Sequence, residues 1–338
     1  MLGIFRNWRT CLLWTAASAF MTLAQLRLIV FVLGKLYPAS INAAASVIAG
    51  TPGFAINQSR VLAPYSVAYL SLLLGGDFGL AHVIFMCVMT FIAGLLFLVL
   101  ASRLFGRQAG WFAFITFHML FSTLLNEQWL FAWDHYSIIA FTLFVYFVMA
   151  DKSWRWFTAL FAVAIFNRES ALFIALWMVL HALCIGWHAR ASDGWWRHIN
   201  KGLGLAGLLC GVAGIAIIRT LRTTLLVHEE NAAPGVVHNL LVTWPHNLSA
   251  TIDAFTSNFG MRLVCPGFLV ITAVVAIALA RRNPPRFLAL SLTHLALVVS
   301  IFLFGVITET RVMLELVPFV IFGLLWLNTP ETASQPKT

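Results

Sequence analysis

The chain has 338 residues, of which 61% are hydrophobic and only 10% are charged. Because a soluble domain carries about 25% charged residues, this composition excludes the soluble enzyme classes and indicates a protein whose solvent is the lipid bilayer. The formal charge of +9 comes from basic residues between apolar runs, where the positive-inside rule explains them. Nucleic acid is therefore not expected as a partner.

The apolar runs predict an all-α, polytopic membrane protein with about ten transmembrane helices. The run from 155 to 187 is about 33 residues long, too long for one crossing. Because Asn167-Arg168-Glu169-Ser170 interrupts it, we expect two short antiparallel spans that turn at this tetrad. The other predicted spans are 12–33, 79–101, 108–126, 132–150, 203–221, 260–280, 287–307 and 312–328. They form one transmembrane domain, 1–328, followed by a disordered cytoplasmic tail, 329–338.

Two long segments, 34–78 and 222–259, are predicted as loops on the outer side. The first contains the run 61–75, which at about 15 residues is short for a span and typical of an interfacial helix. With this run outside the hydrocarbon core and the N-terminus in the cytoplasm, thirteen lysines and arginines lie inside and seven outside. A crossing at 61–75 would move four of the inner ones outside, contrary to the positive-inside rule. Both termini are therefore predicted to be cytoplasmic.

Four polar clusters interrupt the apolar helices, all at one predicted depth on the outer side. An ionisable group at membrane depth costs about 2.5–3.5 kcal/mol on insertion scales, so the convergence of four clusters predicts one shared pocket. No pair of histidines has metal-ligand spacing, so no metal or cofactor is predicted, with a divalent cation left open. The clusters are Arg60 with Pro64; Glu127, Asp134 and His135; Asn167, Arg168 and Glu169; and Glu309, Arg311 and Glu315.

Each cluster also has a purely structural alternative, in which its charges stabilise a helix and bind nothing. The alternatives are an i, i+4 salt bridge between Arg311 and Glu315, capping of two helix ends by Arg168 and Glu169, an N-cap at Asp134, and a lipid phosphate contact of Arg60.

The clusters carry sequence elements that resemble those of a group of bacterial membrane proteins of GT-C-like plan. Gln58-Ser-Arg60-Val-Leu-Ala-Pro64 resembles a QYRVLxP element, and Trp133-Asp134-His135-Tyr136 stands where that group often has Tyr-Asp. Asn167-Arg168-Glu169-Ser170 is similar to an NRE(T/S) motif, and the segment from Glu309 to Pro318 to an ExRxxxELxP motif. The elements extend from about 58 to 318, nearly the whole chain.

The GT-C superfamily consists of multi-spanning glycosyltransferases that use polyprenyl-phosphate-linked sugars. The resemblance implies such a transferase in a bacterial inner membrane, with an envelope glycan or lipid as acceptor. A carboxylate must accept the proton of the acceptor hydroxyl, and cations must stabilise the departing phosphate. Asp134 is the favoured base, with Glu169 and Glu309 as further candidates. The predicted substrate-binding residues are Arg60, His135, Asn167, Arg168, Arg311 and Glu315.

The first outer loop departs from the GT-C pattern. GT-C enzymes typically hold a catalytic Asp or Glu there, and residues 34–60 contain neither. Two other functions therefore stay open: a non-catalytic assembly subunit of envelope polysaccharide synthesis, and a lipid or glycolipid transporter.

Overall fold

The computed structural model describes residues 8–34, 37–51, 59–125, 130–189, 197–225, 240–256, 264–282, 284–305 and 310–329. In these ranges every regular element is helical. Two 3₁₀ segments, Glu169–Ala171 and Thr310–Glu315, lie beside the α-helices. The α-helices are α1 (Trp8–Leu33), α2 (Tyr37–Ile48), α3 (Leu62–Leu73), α4 (Phe78–Phe105), α5 (Arg107–Leu124), α6 (Ala132–Met149), α7 (Trp154–Ala164), α8 (Leu172–His188), α9 (Lys201–Leu225), α10 (Leu240–Thr256), α11 (Val264–Ala280), α12 (Pro285–Phe304) and α13 (Val317–Leu327).

Within the described ranges, six helices are long and apolar enough to cross a membrane. They are Thr10–Leu33, Phe78–Phe105, Ala132–Met149, Glu169–His188, Lys201–Thr224 and Pro285–Phe304. The prediction of an all-helical protein with several membrane spans is confirmed, and the count of about ten stays a prediction.

Helix α3 is apolar but has only 12 residues. At 1.5 Å per residue it extends about 18 Å, well short of a hydrocarbon core of about 30 Å. Its exposed side chains include Tyr65, Tyr69 and Leu72, and tyrosine is enriched at membrane interfaces. The helix therefore has the length and the side chains of the interfacial helix that the run 61–75 predicts.

The long helices bring the polar clusters together at their ends. Helix α4 packs against α1, α5 and α6, while α8 packs against α9 and α12, and α13 packs against α6 and α11. Gly207 lets α9 approach α8 closely, because a Cβ atom there would lie 2.9 Å from the carbonyl oxygen of Ala175. Small residues permit such contacts between membrane helices, and here they bring the last turn of α9 beside the start of α8.

Helix α10 lies within the segment that was predicted as the second outer loop. It contains Pro245 in its interior, which makes it look like a loop in the sequence because proline disfavours helix interiors. Its Asn247 donates hydrogen bonds from Nδ2 to the carbonyl oxygens of Phe302 (2.7 Å) and Gly305 (2.6 Å). Those carbonyls belong to the end of α12, where they have no partner within the helix. Helix α10 thus caps α12, and the loop prediction missed both α10 and α2.

The break in the run 155–187 lies where the sequence predicts it. Helix α7 ends at Ala164 and α8 begins at Leu172, with the tetrad between them. The backbone N–H groups of Val61 and Leu62 both donate to the carbonyl oxygen of Phe166, each at 2.9 Å. These bonds fix the segment before α3 to the turn after α7.

The predicted span 312–328 is wrong in its first turn. Residues 310–315 form a 3₁₀ segment, and α13 begins at Val317 with Pro318 in its first turn. Pro318 has no N–H to donate to Leu314, and its ring clashes with that carbonyl in an α-helix. The α-helix therefore cannot continue back through Arg311 and Glu315.

Candidate functional site

Asp134 lies at the centre of a buried cluster of charges. It occupies the first turn of α6, where its Oδ2 accepts the backbone N–H of Phe131 at 2.9 Å. Its Oδ1 lies 3.3 Å from Arg168 Nη1 and 3.5 Å from Arg311 Nη1, and its side chain is fully buried. The predicted N-cap at Asp134 is wrong, because Phe131 occupies that position and Asp134 is the third residue of the helix. From there the carboxylate accepts the N–H of the N-cap residue and also holds two arginines.

Glu315 extends this cluster on the other side of Arg168. Its Oε1 lies 3.2 Å from Arg168 Nη1 and accepts the hydroxyl of Ser170 at 2.7 Å. Because the segment around it is a 3₁₀ helix with three residues per turn, Arg311 and Glu315 do not have the α-helical i, i+4 relation. Arg168 instead bridges Asp134 and Glu315, two carboxylates from distant parts of the chain.

Two aromatic rings support the arginines beside this cluster. Phe131 and Trp133 stack with their centroids 4.6 Å apart. Arg60 Cζ lies 5.2 Å from the centre of the Trp133 ring, and Arg311 Cζ lies 4.6 Å from that of Phe131. Such cation–π contacts hold a guanidinium group without neutralising its charge. No function was predicted for either ring, although a Trp beside Asp134 was visible in the sequence.

Arg60 is a buried cation and does not reach toward lipid. It is only 3% exposed, and within the described part of the chain its Nε has no hydrogen-bond acceptor. Burial and the nearby charge of Arg168 lower the pKa of Arg60 to about 9, so the group is still protonated at neutral pH. The nearby charges of Glu169 and Asp134 act in the opposite direction and favour the protonated form.

Glu169 faces a different set of partners from Asp134. Its Oε1 accepts the hydroxyl of Ser59 and lies 2.7 Å from Arg222 Nη2. Its side chain keeps 24% of its exposure and that of Arg222 keeps 44%, so this pair borders the solvent-accessible side of the cluster. Arg222 was not predicted as a site residue, since it stands at the end of an apolar helix where an arginine is common.

Asn167 and His135 flank the cluster with different orientations. Asn167 Nδ2 donates to the carbonyl oxygen of Trp133 at 2.9 Å and to Ser137 Oγ at 3.2 Å, which joins the turn before α8 to α6. His135 Nε2 lies 3.0 Å from Thr90 Oγ1, so its ring is directed to α4. Asn167 thus positions the turn that carries Arg168, whereas the contacts of His135 lie within the helix bundle.

Glu127 and Glu309 lie outside the described residues. The structure therefore brings together Asp134, Arg168, Arg311 and Glu315 by direct contact. Glu169 and Arg60 adjoin them through the turn that carries Arg168 and through Trp133.

A groove of about 870 Å³ lies between α3, α7 and the end of α9. Most of its lining is apolar, with the tyrosines of α3 on one side. Val61, Phe166 and Leu221 line it, and each is the chain neighbour of a polar residue of the cluster. Those neighbours are Arg60, Asn167 and Arg222. Its size falls in the range of small-molecule sites, about 300–1,000 Å³.

No family model, curated protein or solved structure matches this chain. Among the described residues, no group of three or more His, Cys, Asp or Glu side chains is arranged to hold a metal ion.

Proposed function

We propose that this protein is a membrane glycosyltransferase of GT-C-like plan. It transfers a sugar from a polyprenyl-phosphate-linked donor to an envelope glycan or lipid on the outer face of a bacterial inner membrane. The proposal includes about ten spans and cytoplasmic termini, which place the cluster at the outer surface.

The observation that carries this proposal is the adjacency of the apolar groove and the arginines. In a lipid-linked sugar phosphate, the hydrocarbon tail is covalently bonded to the anionic phosphate. Val61 and Leu221 line the groove; Arg60 directly precedes Val61 in the chain, and Arg222 directly follows Leu221. Such a ligand would therefore contact the groove and a guanidinium group at the same time.

Arg60 supports the anionic part of this ligand. Its guanidinium is buried, and it lies on the Trp133 ring with an Nε that has no acceptor among the described residues. A phosphate oxygen would supply that acceptor, and arginine binds phosphate with planar, directional geometry. As the bond from the sugar C1 to phosphate breaks, the growing negative charge would be stabilised there.

The contacts favour Glu169 over Asp134 as the general base. Asp134 is fully buried and already bonded to one backbone N–H and two arginines, which holds it as a charged structural anchor. Glu169 is partly exposed, and its partner Arg222 is the chain neighbour of Leu221, which lines the groove. An acceptor hydroxyl arriving from the aqueous side would meet Glu169 first.

The reaction then balances as a single displacement. The acceptor oxygen forms a bond to C1, its proton moves to the carboxylate of Glu169, and the C1–O bond to phosphate breaks. Polyprenyl phosphate leaves with the bonding electron pair. Asp134 and Glu315 would keep Arg168 and Arg311 in place during these steps.

The test uses the purified protein in liposomes with polyprenyl-phosphate-linked sugars, with donor binding and product measured separately. Glu169→Gln should keep donor binding while transfer falls by about 10²–10⁴-fold, because the proton moves only in the transition state. Asp77→Asn is the matched control: Asp77 is an exposed carboxylate that caps α4, and Asn caps equally well.

Full transfer by Glu169→Gln would remove it as the base and return Asp134 and Glu309 to consideration. Donor binding without transfer by the unmodified protein, across all donors and acceptors tried, would favour the assembly-subunit alternative. No binding of any polyprenyl phosphate would contradict the proposal as a whole.

A further inference from the structure

Arg222 occupies the carboxylate that the proposed reaction needs free. Its Nη2 lies 2.7 Å from Glu169 Oε1, and the same oxygen accepts the hydroxyl of Ser59. A carboxylate that is paired with a guanidinium group cannot take up a proton without leaving that cation unpaired. With Glu169 as the base, this ion pair must therefore open before the acceptor hydroxyl loses its proton.

Arg222 is held more weakly than the arginines at Asp134. Its side chain is nearly half exposed, it stands in the last turn of α9, and among the described residues Glu169 is the one ion-pair partner of its guanidinium. Arg168 and Arg311 are nearly buried, and both contact the fully buried Asp134. Because an exposed ion pair contributes little to stability, the pair of Arg222 with Glu169 is the one in this cluster that a competing anion separates most easily.

The phosphate of the donor is the anion that competes for Arg222. Leu221 lines the apolar groove, and Arg222 follows it directly in the chain. A phosphate that is bonded to a hydrocarbon chain in the groove is therefore a partner for this side chain. The hydrogen bond to Glu169 is made by Nη2, whereas a phosphate group accepts two parallel bonds from one guanidinium.

Ser59 keeps the carboxylate of Glu169 in place when the arginine leaves. Ser59 is buried, and its hydroxyl donates to Glu169 Oε1. The backbone N–H groups of Val61 and Leu62 fix the end of the same segment to the carbonyl oxygen of Phe166. The base would then have one neutral hydrogen-bond donor in place of a cation, and this arrangement suits proton uptake.

We propose that Arg222 exchanges partners during the reaction: it leaves Glu169 when the donor binds and pairs with the donor phosphate. This exchange rests on the proposed function, since it takes Glu169 as the base and a lipid-linked sugar phosphate as the donor. It fixes the order of binding, with the donor first, because the carboxylate can take the acceptor proton only after Arg222 has left. Arg222 then stabilises the charge that grows on the departing phosphate and returns to Glu169 when polyprenyl phosphate is released.

A double-mutant cycle on binding tests the exchange without requiring turnover. The affinity for polyprenyl phosphate is measured in detergent for the unmodified protein, Glu169→Gln, Arg222→Gln and the double variant. Arg222→Gln should weaken binding by about three- to thirtyfold, because a charged hydrogen bond to phosphate is lost. Glu169→Gln should strengthen binding by about two- to fivefold, because Arg222 no longer has to leave a partner.

The double variant separates the exchange from general effects of charge. Long-range effects of the two charges add, whereas a guanidinium that serves one partner at a time couples the two positions. We therefore expect the gain from Glu169→Gln to disappear in the Arg222→Gln background. An equal gain in both backgrounds would overturn the exchange and leave the proposed function standing. No binding of polyprenyl phosphate by the unmodified protein would overturn both.

The two matched controls remove charges of the same sign away from the pair. Arg219→Gln removes an exposed arginine of α9 one turn before Arg222, and Asp77→Asn removes an exposed carboxylate at the start of α4. Neither should change the affinity for polyprenyl phosphate. A loss with Arg219→Gln as large as that with Arg222→Gln would overturn the exchange.

Infrared difference spectroscopy gives a second measurement, made on the carboxylate itself. The stretching frequency of a carboxylate depends on whether a guanidinium group is bound to it. Adding polyprenyl phosphate to the unmodified protein should shift a carboxylate band that is missing from the spectrum of Glu169→Gln. The same band should not shift in Arg222→Gln, where no ion pair is left to open. A Glu169 band that is identical with and without polyprenyl phosphate in the unmodified protein would overturn the exchange.

Discussion

Val61 and Phe166 are joined by a backbone hydrogen bond of 2.9 Å. The bond links two segments that are about 100 residues apart in sequence and that carry Arg60 and Arg168. Because the bond uses backbone atoms, no substitution of an arginine removes its donor or its acceptor.

Arg60→Ala should weaken binding of polyprenyl phosphate. Losing a hydrogen bond to a charged group costs about 1.5–3 kcal/mol, which corresponds to about a ten- to hundredfold rise in Kd. Arg60→Lys should recover part of the loss by restoring the charge. Arg155→Ala, which removes an exposed arginine at the start of α7, is the control, and an equal loss there would show a general effect of charge. Titration of the lipid in detergent gives the Kd values.

Asp134→Asn and Arg168→Gln should each destabilise the fold by about 3–5 kcal/mol, because each leaves a buried charge without its partner. The double variant should lose less than the sum of the two, since the residues contact one another. The comparison pair is Asp151 and Arg286, which lie 3.0 Å apart with Asp151 largely exposed; an exposed pair contributes about 0–1 kcal/mol. Denaturant unfolding in detergent measures the free energy of unfolding of each single and double variant. Additive losses at Asp134 and Arg168 would contradict the buried network.

Val163→Trp should reduce affinity for long-chain donors by filling the groove. Donors with a short, water-soluble chain should bind the variant and the unmodified protein alike, because they do not occupy the groove. Val212→Trp places the same bulk on an exposed position of α9 and should change neither affinity. An equal loss of affinity for short-chain and long-chain donors would show that the hydrocarbon chain of the donor binds elsewhere.

A cysteine at Ser153 should resist a membrane-impermeant reagent added from outside, whereas one at Thr224 should react. Both positions are exposed, and the thirteen-to-seven split of basic residues predicts that they lie on opposite sides of the membrane. The measurement uses right-side-out vesicles and a background free of native cysteines. Labelling at Ser153 from outside would reverse the topology at this point of the chain.

The convergence of the charged residues could be predicted from sequence, because the cost of isolated charges always favours bringing them together. Asp134, Arg168 and Arg311 stand beside long apolar runs, where an isolated charge is costly. The cheapest arrangement pairs them with one another, and the contacts of 3.3 and 3.5 Å show that pairing. The cost says nothing about which carboxylate pairs with which arginine, and so the contacts of Asp134 with both Arg168 and Arg311 could not be predicted. The role of Asp134 as a base stays a prediction.

The parts that could not be predicted depend on backbone geometry and on contacts between distant elements. The apolar run 312–328 predicts one span, whereas the α-helix begins only at Val317, with Pro318 in its first turn. Pro318 is the signal in the sequence for that break. Arg222 is different, because the packing of α9 against α8 and α7 brings it to Glu169. No pattern within α9 contains that information.

The bonds from Asn247 to the end of α12 have a consequence for biosynthesis. Asn247-Leu248-Ser249 is an acceptor sequence for N-linked glycans, and the folded protein buries its amide nitrogen between two carbonyl groups. An oligosaccharide can be attached there only before α12 has emerged from the translocon and reached α10. In a eukaryotic expression host, glycan occupancy at Asn247 would therefore measure the time between the synthesis of α10 and its packing against α12. Asn247→Gln would give a product without glycan heterogeneity, but its longer side chain would strain the hydrogen bonds to the end of α12.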